Sequence, residues 1–351
     1  MTLGAHISGT HPHNSLLLTS LKIIAAEHSD HHFIFFTETL LTALNGNCTN
    51  VIISPRPKNK LLLYYWYNYK LPAFLKKYNA TVFISEAGML NVKIDILQYL
   101  FFDSVRFDED INRFFKKIFR LCLEKAENII TTDDCIKEDL KEKYKISESK
   151  IRTIYHGLPV QNIKEDVNEQ SIKEKHTNGN DYFLCPVYTG STNELIVLLK
   201  AFSQLKKWQK TSMKLVLLFH KISAEDPVPD FKNYKYRQDV ILIPHTEKAE
   251  NELLQNCFAL VWFGAFHQRD IAFASLKNDI PVIVEDNKTN KSLFGEGVLF
   301  TMLTVHDLAE KMQVLYKDES IRNKTIERGK FLLQKYNSTV ATTALQSIIF
   351  P

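Results

Sequence analysis

The chain has 351 residues, more than a single domain of ordinary size, so we expect two domains that each enclose a hydrophobic core. A hydrophobic fraction of 45% and a charged fraction of 24% exclude a disordered or fibrous protein. The 44 basic and 40 acidic residues leave a net charge of +4 that is spread along the chain, which gives no reason to expect a nucleic-acid partner.

Cysteine, glycine and apolar residues restrict the kind of protein further. No run approaches the roughly 18 apolar residues of a spanning helix, and the first residues do not resemble a signal peptide, so we expect a cytoplasmic protein. The five cysteines are widely spaced and form no zinc-binding pattern with histidine, which predicts neither disulfides nor a structural metal. Glycine contributes only 11 residues, about 3% where roughly 7% is usual, although phosphate-binding loops depend on glycine.

The first half of the chain alternates short β-prone apolar runs with segments of helical periodicity. The predicted elements are, in chain order, strand Thr2–Ile7, helix Asn14–Glu27, strands His32–Phe36 and Asn50–Ser54, helix Tyr64–Tyr78, strands Thr81–Ile84 and Gln98–Phe102, helix Asp110–Ala126, strand Asn128–Thr131, helix Asp133–Tyr144 and strand Lys150–Tyr155. This alternation is typical of βαβ units and predicts a parallel sheet.

The stretch from Val160 to Asp181 loses the apolar periodicity and is polar and charged, which predicts a segment between domains. A second series of elements follows it: strand Tyr182–Val187, helix Asn193–Trp208, strands Lys214–Phe219 and Asp239–Ile243, helix Glu247–Asn256, strand Ala259–Phe263, helix Ile271–Lys277, strands Pro281–Val284 and Gly297–Phe300, and helix Val305–Lys317. We therefore predict two doubly wound α/β domains whose ligands bind beyond the carboxyl ends of the strands.

Segments from both halves resemble the nucleotide-sugar glycosyltransferases of family four. The likeness is carried by Lys150–Pro159 and Asp181–Trp208, and it continues in the family's order through Met213–Lys221, Asp239–Trp262, Asn278–Asp286 and His306–Lys330, with matching pieces at Glu27–Phe36, Leu71–Ser85 and Glu127–Tyr144. The resemblance covers nearly the whole chain. It implies the GT-B fold, two facing Rossmann-like domains with a cleft between them.

In this fold, residues 1–165 would form the acceptor-side domain and residues 166–335 the donor-side domain, and a helix at 336–351 would cross back to the first domain. The resemblance implies retaining transfer of a sugar from a nucleotide-sugar to a polysaccharide or lipid-linked acceptor, in a bacterial surface-polysaccharide pathway. Basic side chains, backbone amides and a helix N-terminus neutralise the leaving diphosphate in this family, so no metal or other cofactor is expected.

The family's donor-site motifs are degenerate in this sequence. A pair of glutamates eight residues apart is expected before the Pro-Val-Ile strand, but one alignment frame places His267 and Ser275 there, and the other places Phe266 and Ala274. The loop that should carry glycine and then an Arg/Lys pair has no basic residue between positions 185 and 193. Phe219 replaces the glycine that ends the next strand.

Ten residues remain as candidates for the chemistry. Lys221 matches a basic position of relatives, Arg269 can meet a phosphate as a planar donor, and acids at strand ends can act as general bases. The alternative for each is a solvated charge, a helix cap or an ordinary loop histidine. The candidates are Asp103 and His267 for catalysis, Lys221, Arg269, Asn193, His245 and Ser275 for the donor, and His11, His13 and Glu86 on the acceptor side.

Four basic residues recur at three-and-four spacing and so share one helical face, namely Arg113, Lys116, Lys117 and Arg120. Such a face can contact anionic lipids, which predicts peripheral attachment at the inner side of a membrane. A core helix with a basic solvent face also explains the pattern and is the preferred interpretation. The aromatic run Leu61–Leu71 is interpreted as packing rather than as a platform for sugars.

The loss of so many donor-site residues leaves two hypotheses open. The first is an active transferase with altered motifs. The second is a catalytically inactive GT-B protein that binds or assembles with an active glycosyltransferase, because a protein with no phosphate to hold no longer needs glycine-rich loops. The sequence by itself does not select between them.

Overall fold

The computed structural model describes residues 1–8, 15–42, 44–54, 56, 59–102, 113–155, 169–188, 192–220, 231–264 and 269–350. The chain divides into two compact units. The first unit comprises Met1–Gly157 together with Tyr336–Pro351, and the second unit comprises Leu158–Lys335.

The first unit is built on a parallel sheet that has seven strands in the part of the chain described. They are β1 (Thr2–His6), β2 (His32–Thr37), β3 (Cys48–Ile52), β4 (Val82–Ser85), β5 (Leu97–Phe102), β6 (Ile129–Thr131) and β7 (Ile151–Thr153), in the spatial order β3-β2-β1-β4-β5-β6-β7. The order reverses between β1 and β4, where His6 pairs with Ser85. Ligands of doubly wound sheets bind at such switch points.

Helices cover both faces of this sheet, which explains why its strands are almost continuously apolar. They are α1 (Leu16–Glu27), α2 (Lys60–Tyr65), α3 (Leu71–Lys77), α4 (Arg113–Lys125) and α5 (Asp134–Tyr144). A π-helical stretch, Trp66–Lys70, joins α2 to α3. Trp66, Tyr67, Phe115 and Phe119 pack together on one side of the sheet, and α1 packs on the other.

The last helix of the chain, α13 (Ser338–Ile349), belongs to the first unit. Its Ala341, Leu345 and Ile349 are buried in the same apolar cluster as α1. The Gln346 side-chain amide lies 2.8 Å from Nε2 of His28, just beyond the end of α1. Residues from both ends of the chain therefore complete one core.

The second unit contains another parallel sheet, with six strands in its described segments. They are β8 (Tyr182–Tyr188), β9 (Lys214–His220), β10 (Val240–Pro244), β11 (Ala259–Trp262), β12 (Val282–Glu285) and β13 (Leu299–Thr301), in the order β10-β9-β8-β11-β12-β13. The helices around it are α6 (Glu169–Thr177), α7 (Thr192–Gln209), α8 (Glu247–Asn256), α9 (Asp270–Lys277), α10 (Lys288–Phe294), α11 (Val305–Lys317) and α12 (Glu319–Lys335).

These two sheets confirm the predicted α/β class with parallel strands. The segment that was predicted to lie between the domains contains a helix, α6, which the sequence pattern did not indicate. That helix buries Ile172 and is held against α8 by ionic contacts, with Lys175 Nζ 2.7 Å and His176 Nε2 3.2 Å from the Glu252 carboxylate. A helix that docks through one apolar side chain and two polar ones leaves no apolar periodicity in the sequence.

All five cysteines are free thiols, and four of them are buried, as the absence of a disulfide pattern predicts. Among the described residues, no helix combines the length and the apolar composition that crossing a bilayer requires.

Candidate functional site

The structure positions half of the ten candidate residues. His11, His13, Asp103, Lys221 and His267 lie outside the described residues. Those that are described are Glu86 in the first unit and Asn193, His245, Arg269 and Ser275 in the second unit.

Three rings form a stack at the carboxyl edge of the second unit's sheet, and we call Tyr188, His220 and His245 the ring cluster. The Tyr188 and His220 ring centroids are 4.5 Å apart, and those of His220 and His245 are 3.8 Å apart. The register explains the stack. Tyr188 at the end of β8 pairs with His220 at the end of β9, and His245 follows the β10 residue that pairs with Phe219.

A carboxylate from the following helix joins the ring cluster. Thr246 caps α8, its hydroxyl accepting from the amide of Ala249 at 3.1 Å, and this places Glu250 in the first turn beside the rings. The Glu250 Oε2 atom lies 2.9 Å from Nε2 of His245. The arrangement therefore offers two imidazoles and one carboxylate at the edge where a ligand is expected.

Burial and neighbouring charges set the protonation of this cluster. Burial and, to a smaller extent, the nearby His245 together lower the pKa of His220 to about 4, so the His220 imidazole is neutral at neutral pH. Burial also raises the pKa of Glu250, and the Asp270 and Glu247 carboxylates add to that effect while His245 opposes it. The ring cluster thus lies near the carboxylates of Glu250, Asp270 and Glu247.

Two further candidates lie in the turns beside the switch point between β8 and β11. Asn193 is exposed in the first turn of α7, the helix that follows β8. Arg269 is half-buried immediately before α9, the helix that follows β11. Both helices begin at this edge of the sheet, and helix N-termini attract anions. A guanidinium and two helix N-termini suit a phosphate group.

Ser275 is the remaining predicted donor-site residue of the second unit. It is fully buried within α9, and its hydroxyl donates to the carbonyl of Ile271 at 2.9 Å. The helical phase of α9 directs position 275 into the core. Phe219 also packs into the core of the second unit, so its side chain does not fill the ligand edge.

Glu86, the acceptor-side candidate, lies at the end of β4 and acts as a support for α1. Its Oε2 atom accepts from the Ser8 amide at 3.1 Å, and its Oε1 atom accepts from the Ser15 hydroxyl. Ser15 in turn caps α1 by accepting from the Leu18 amide at 3.0 Å. Because both carboxylate oxygens accept hydrogen bonds, this geometry favours a positioning role over that of a general base.

Beside Glu86, the structure shows a buried polar chain that the sequence interpretation missed. The His6 Nδ1 atom and the Tyr67 hydroxyl are 2.6 Å apart, and the same hydroxyl is 2.6 Å from Ser85 Oγ. Burial lowers the pKa of His6 to about 3, so its imidazole is neutral. The position of His6 near the end of a predicted strand could have indicated a site residue. Nothing in the sequence distinguished Tyr67 from the other aromatic residues of Leu61–Leu71.

The basic residues of α4 lie on one exposed face, as their spacing predicts. We call Arg113, Lys116, Lys117 and Arg120 the basic face. Phe115, Phe119, Cys122 and Leu123 are buried on the opposite side. Phe114 is 51% exposed and Leu121 is 42% exposed beside the basic face, so the surface of α4 combines positive charge with apolar side chains.

The comparison with known sequences gives a relative of stated activity. The chain is 22% identical over 254 residues to the N-acetylgalactosamine-N,N'-diacetylbacillosaminyl-diphospho-undecaprenol 4-alpha-N-acetylgalactosaminyltransferase of Campylobacter jejuni. The match includes 69% of this chain and spans 65% of the length of that relative. No protein-family model matches the chain.

The comparison with solved structures covers the chain almost completely. A glycosyltransferase from Rickettsia africae superposes with a TM-score of 0.73 at 15% identity, over 99% of this chain and 97% of that one. The chain has the GT-B fold and resembles glycosyltransferases. The GT-B resemblance inferred from the sequence is thereby confirmed.

The GT-B fold also supports other reactions of nucleotide-sugars. The UDP-GlcNAc 2-epimerase of Neisseria meningitidis, solved with UDP-GlcNAc bound, superposes with a TM-score of 0.67 at 12% identity, over 99% of this chain and 100% of that one. A shared fold does not select a reaction. The residues at the strand ends therefore decide which reaction the fold supports.

Proposed function

We propose that this protein is a retaining glycosyltransferase, with a nucleoside-diphosphate sugar as donor and a polysaccharide or lipid-linked glycan as acceptor. The observation that carries the proposal is the carboxyl edge of the second unit, where the ring cluster, Glu250 and Arg269 accompany two helix N-termini. Two comparisons support the proposal. The name of the Campylobacter relative includes a diphospho-undecaprenol acceptor, and the Neisseria neighbour was solved with UDP-GlcNAc bound.

Each group at this edge has a role in the proposed reaction. Arg269 and the first amides of α7 and α9 stabilise the diphosphate as negative charge develops on it. Asn193 adds a neutral donor, and Glu250 offers a carboxylate to sugar or ribose hydroxyls, with His245 holding its position. Asp103 and His267 remain the proposed catalytic residues. His11 and His13 remain proposed for the acceptor, with Lys221 for the donor.

Donor binding is tested by isothermal titration of the protein with UDP, GDP, ADP and their common sugars. We expect one nucleotide class to bind and Arg269→Ala to weaken it at least about tenfold, because a charge-assisted pair contributes more than about 1.4 kcal/mol. Arg237→Ala is the matched control, since it removes the same charge before β10, at the opposite edge of the sheet. Equal affinities of the two variants would reject the role of Arg269.

A catalytically inactive binding protein is the second candidate. It is favoured by the burial of Ser275 at the position of the family's second glutamate, because no carboxylate from α9 can then reach the donor at that position. We infer this function if none of the nucleotides binds. Co-purification with a separately expressed glycosyltransferase would then support it, and purification of the chain alone would reject it.

We also propose that the first unit contacts anionic lipids through the basic face of α4. The Phe114 ring lies 5.7 Å from that of Tyr64, and the neighbouring Tyr65 and Tyr69 stack at 5.2 Å with both rings exposed. Aromatic rings beside basic residues suit the boundary between head groups and acyl chains. A lipid-linked acceptor would be reached from such a position.

A further inference from the structure

Three side chains at the edge of the second unit have the chemistry of metal ligands. His220, His245 and Glu250 each direct one nitrogen or oxygen atom to a common region, and these atoms all lie within 4.8 Å of one another. In the described residues one other group meets this criterion, formed by His28, Asp30 and His31.

We propose that His220, His245 and Glu250 bind a divalent transition-metal ion of the zinc class. Imidazole nitrogens and a carboxylate oxygen are ligands that Zn²⁺ accepts readily. Three protein ligands leave the fourth tetrahedral position open, which is the arrangement of catalytic rather than structural zinc sites.

Binding of a metal ion requires one side chain of the proposed site to move. Ligands on a tetrahedral zinc ion are roughly 3.3 Å apart at ordinary bond lengths, and the His245 and Glu250 atoms already lie at 2.9 Å. The two imidazoles are stacked at an interplanar angle of 23°, so their lone pairs lie in nearly parallel planes. His245 is exposed and precedes α8, so its ring can rotate without disturbing the core. Metal binding therefore separates the stacked rings.

The surrounding charge favours a cation at this place. Asp270 and Glu247 lie close enough to Glu250 to act on it electrostatically, so two further carboxylates add negative charge near the proposed ion. The competing group is less suitable. His28 Nε2 is engaged with Gln346, His31 Nδ1 lies near the terminal amine of Met1 and near Asp30, and both rings stack on Phe350.

The open position gives the ion a role that rests on the proposed function. The loop that carries the family's basic pair has no basic residue here, and a bound Zn²⁺ would supply positive charge to a diphosphate oxygen. The resemblance predicts a reaction without a metal, so this site is a departure from the family pattern. The inference extends the proposed donor site, because it identifies the positive charge that would balance the diphosphate.

The site is tested by titrating Zn²⁺ alone into chelator-treated, tag-free full-length protein. We expect one ion per chain, with affinity reduced at least about tenfold in His245→Gln and in Glu250→Gln. The double variant Asp30→Asn/His31→Gln is the control, because it removes two ligands of the competing group and should bind as the wild type does. Co²⁺ absorption in the visible region reports the same ligands in any variant that remains folded.

The outcomes separate this inference from the proposed function. Absence of Zn²⁺ binding, or loss of binding in the control alone, would overturn the metal site. UDP is titrated in parallel with chelator and with Zn²⁺ present. Binding of UDP in chelator would leave the proposed function standing without the metal, whereas Zn²⁺ binding with no binding of any nucleotide would reject the donor role and keep the site.

Discussion

The buried imidazole of His6 shows how a single residue can set the pH dependence of stability. Its ring is almost fully buried and contacts the Tyr67 hydroxyl, and burial lowers its pKa from 6.5 to about 3. The unfolded chain therefore binds a proton at a pH where the folded chain does not. The contribution of the neutral ring is present above about pH 6.5 and is lost as the pH falls toward 3.

We expect His6→Asn to flatten this dependence. Between about pH 6 and pH 4, the unfolding free energy of the wild type should fall more steeply than that of His6→Asn, by about 1.4 kcal/mol per pH unit. Urea unfolding of the first unit at several pH values measures the slope. His306→Asn, which replaces an exposed histidine, should keep the wild-type slope. Parallel curves for wild type and His6→Asn would contradict the argument.

At the scale of elements, α4 carries the surface that we propose to contact anionic lipids. Its buried side is occupied by Phe115 and Phe119, whereas the basic face and Phe114 remain exposed. A helix that only covers the sheet needs a polar outer side and has no need for an exposed aromatic ring beside four positive charges.

We expect Lys116→Glu/Lys117→Glu to weaken binding to vesicles with anionic lipid at least about tenfold, since each basic residue near such a surface contributes about 1 kcal/mol. Vesicle co-sedimentation measures the binding. Lys207→Glu/Lys210→Glu makes the same change in net charge around the end of α7 and should have little effect. If both pairs reduce binding equally, net charge and not the basic face attracts the protein.

At the scale of the whole molecule, the first unit depends on residues from both ends of the chain. Leu345 of α13 is 1% exposed within the cluster that contains α1, while Leu308 is fully buried in the second unit. The stability of the two units should therefore respond separately to mutation.

We expect Leu345→Ala to destabilise the first unit by about 2–5 kcal/mol and Leu308→Ala to destabilise the second by a similar amount. Hydrogen exchange followed by mass spectrometry reads both units in one experiment. Faster exchange in β1–β7 for the first variant and in β8–β13 for the second is the expected result. A uniform increase in both units from either change would show that they unfold together.

The sequence by itself determined the class of fold, two parallel sheets with helices, and the order of the strands along the chain. The reason is that apolar runs and helical periodicity are local properties, as in β2 and β9, whose buried positions are continuous. It also predicted the buried and exposed sides of α4. It predicted no helix at α6, α10 or α12, and for α6 the reason is that one buried isoleucine leaves no periodic pattern.

The candidate site was decided by tertiary structure. His220 and His245 are separated by a long stretch of chain, and they stack because β9 and β10 are in-register neighbours, a relation that no local pattern encodes. The phase of α9 directs Ser275 into the core, and Glu86 is engaged because α1 begins beside β4. Local sequence specifies which face of an element is apolar, whereas the meeting of polar groups depends on how distant elements pair.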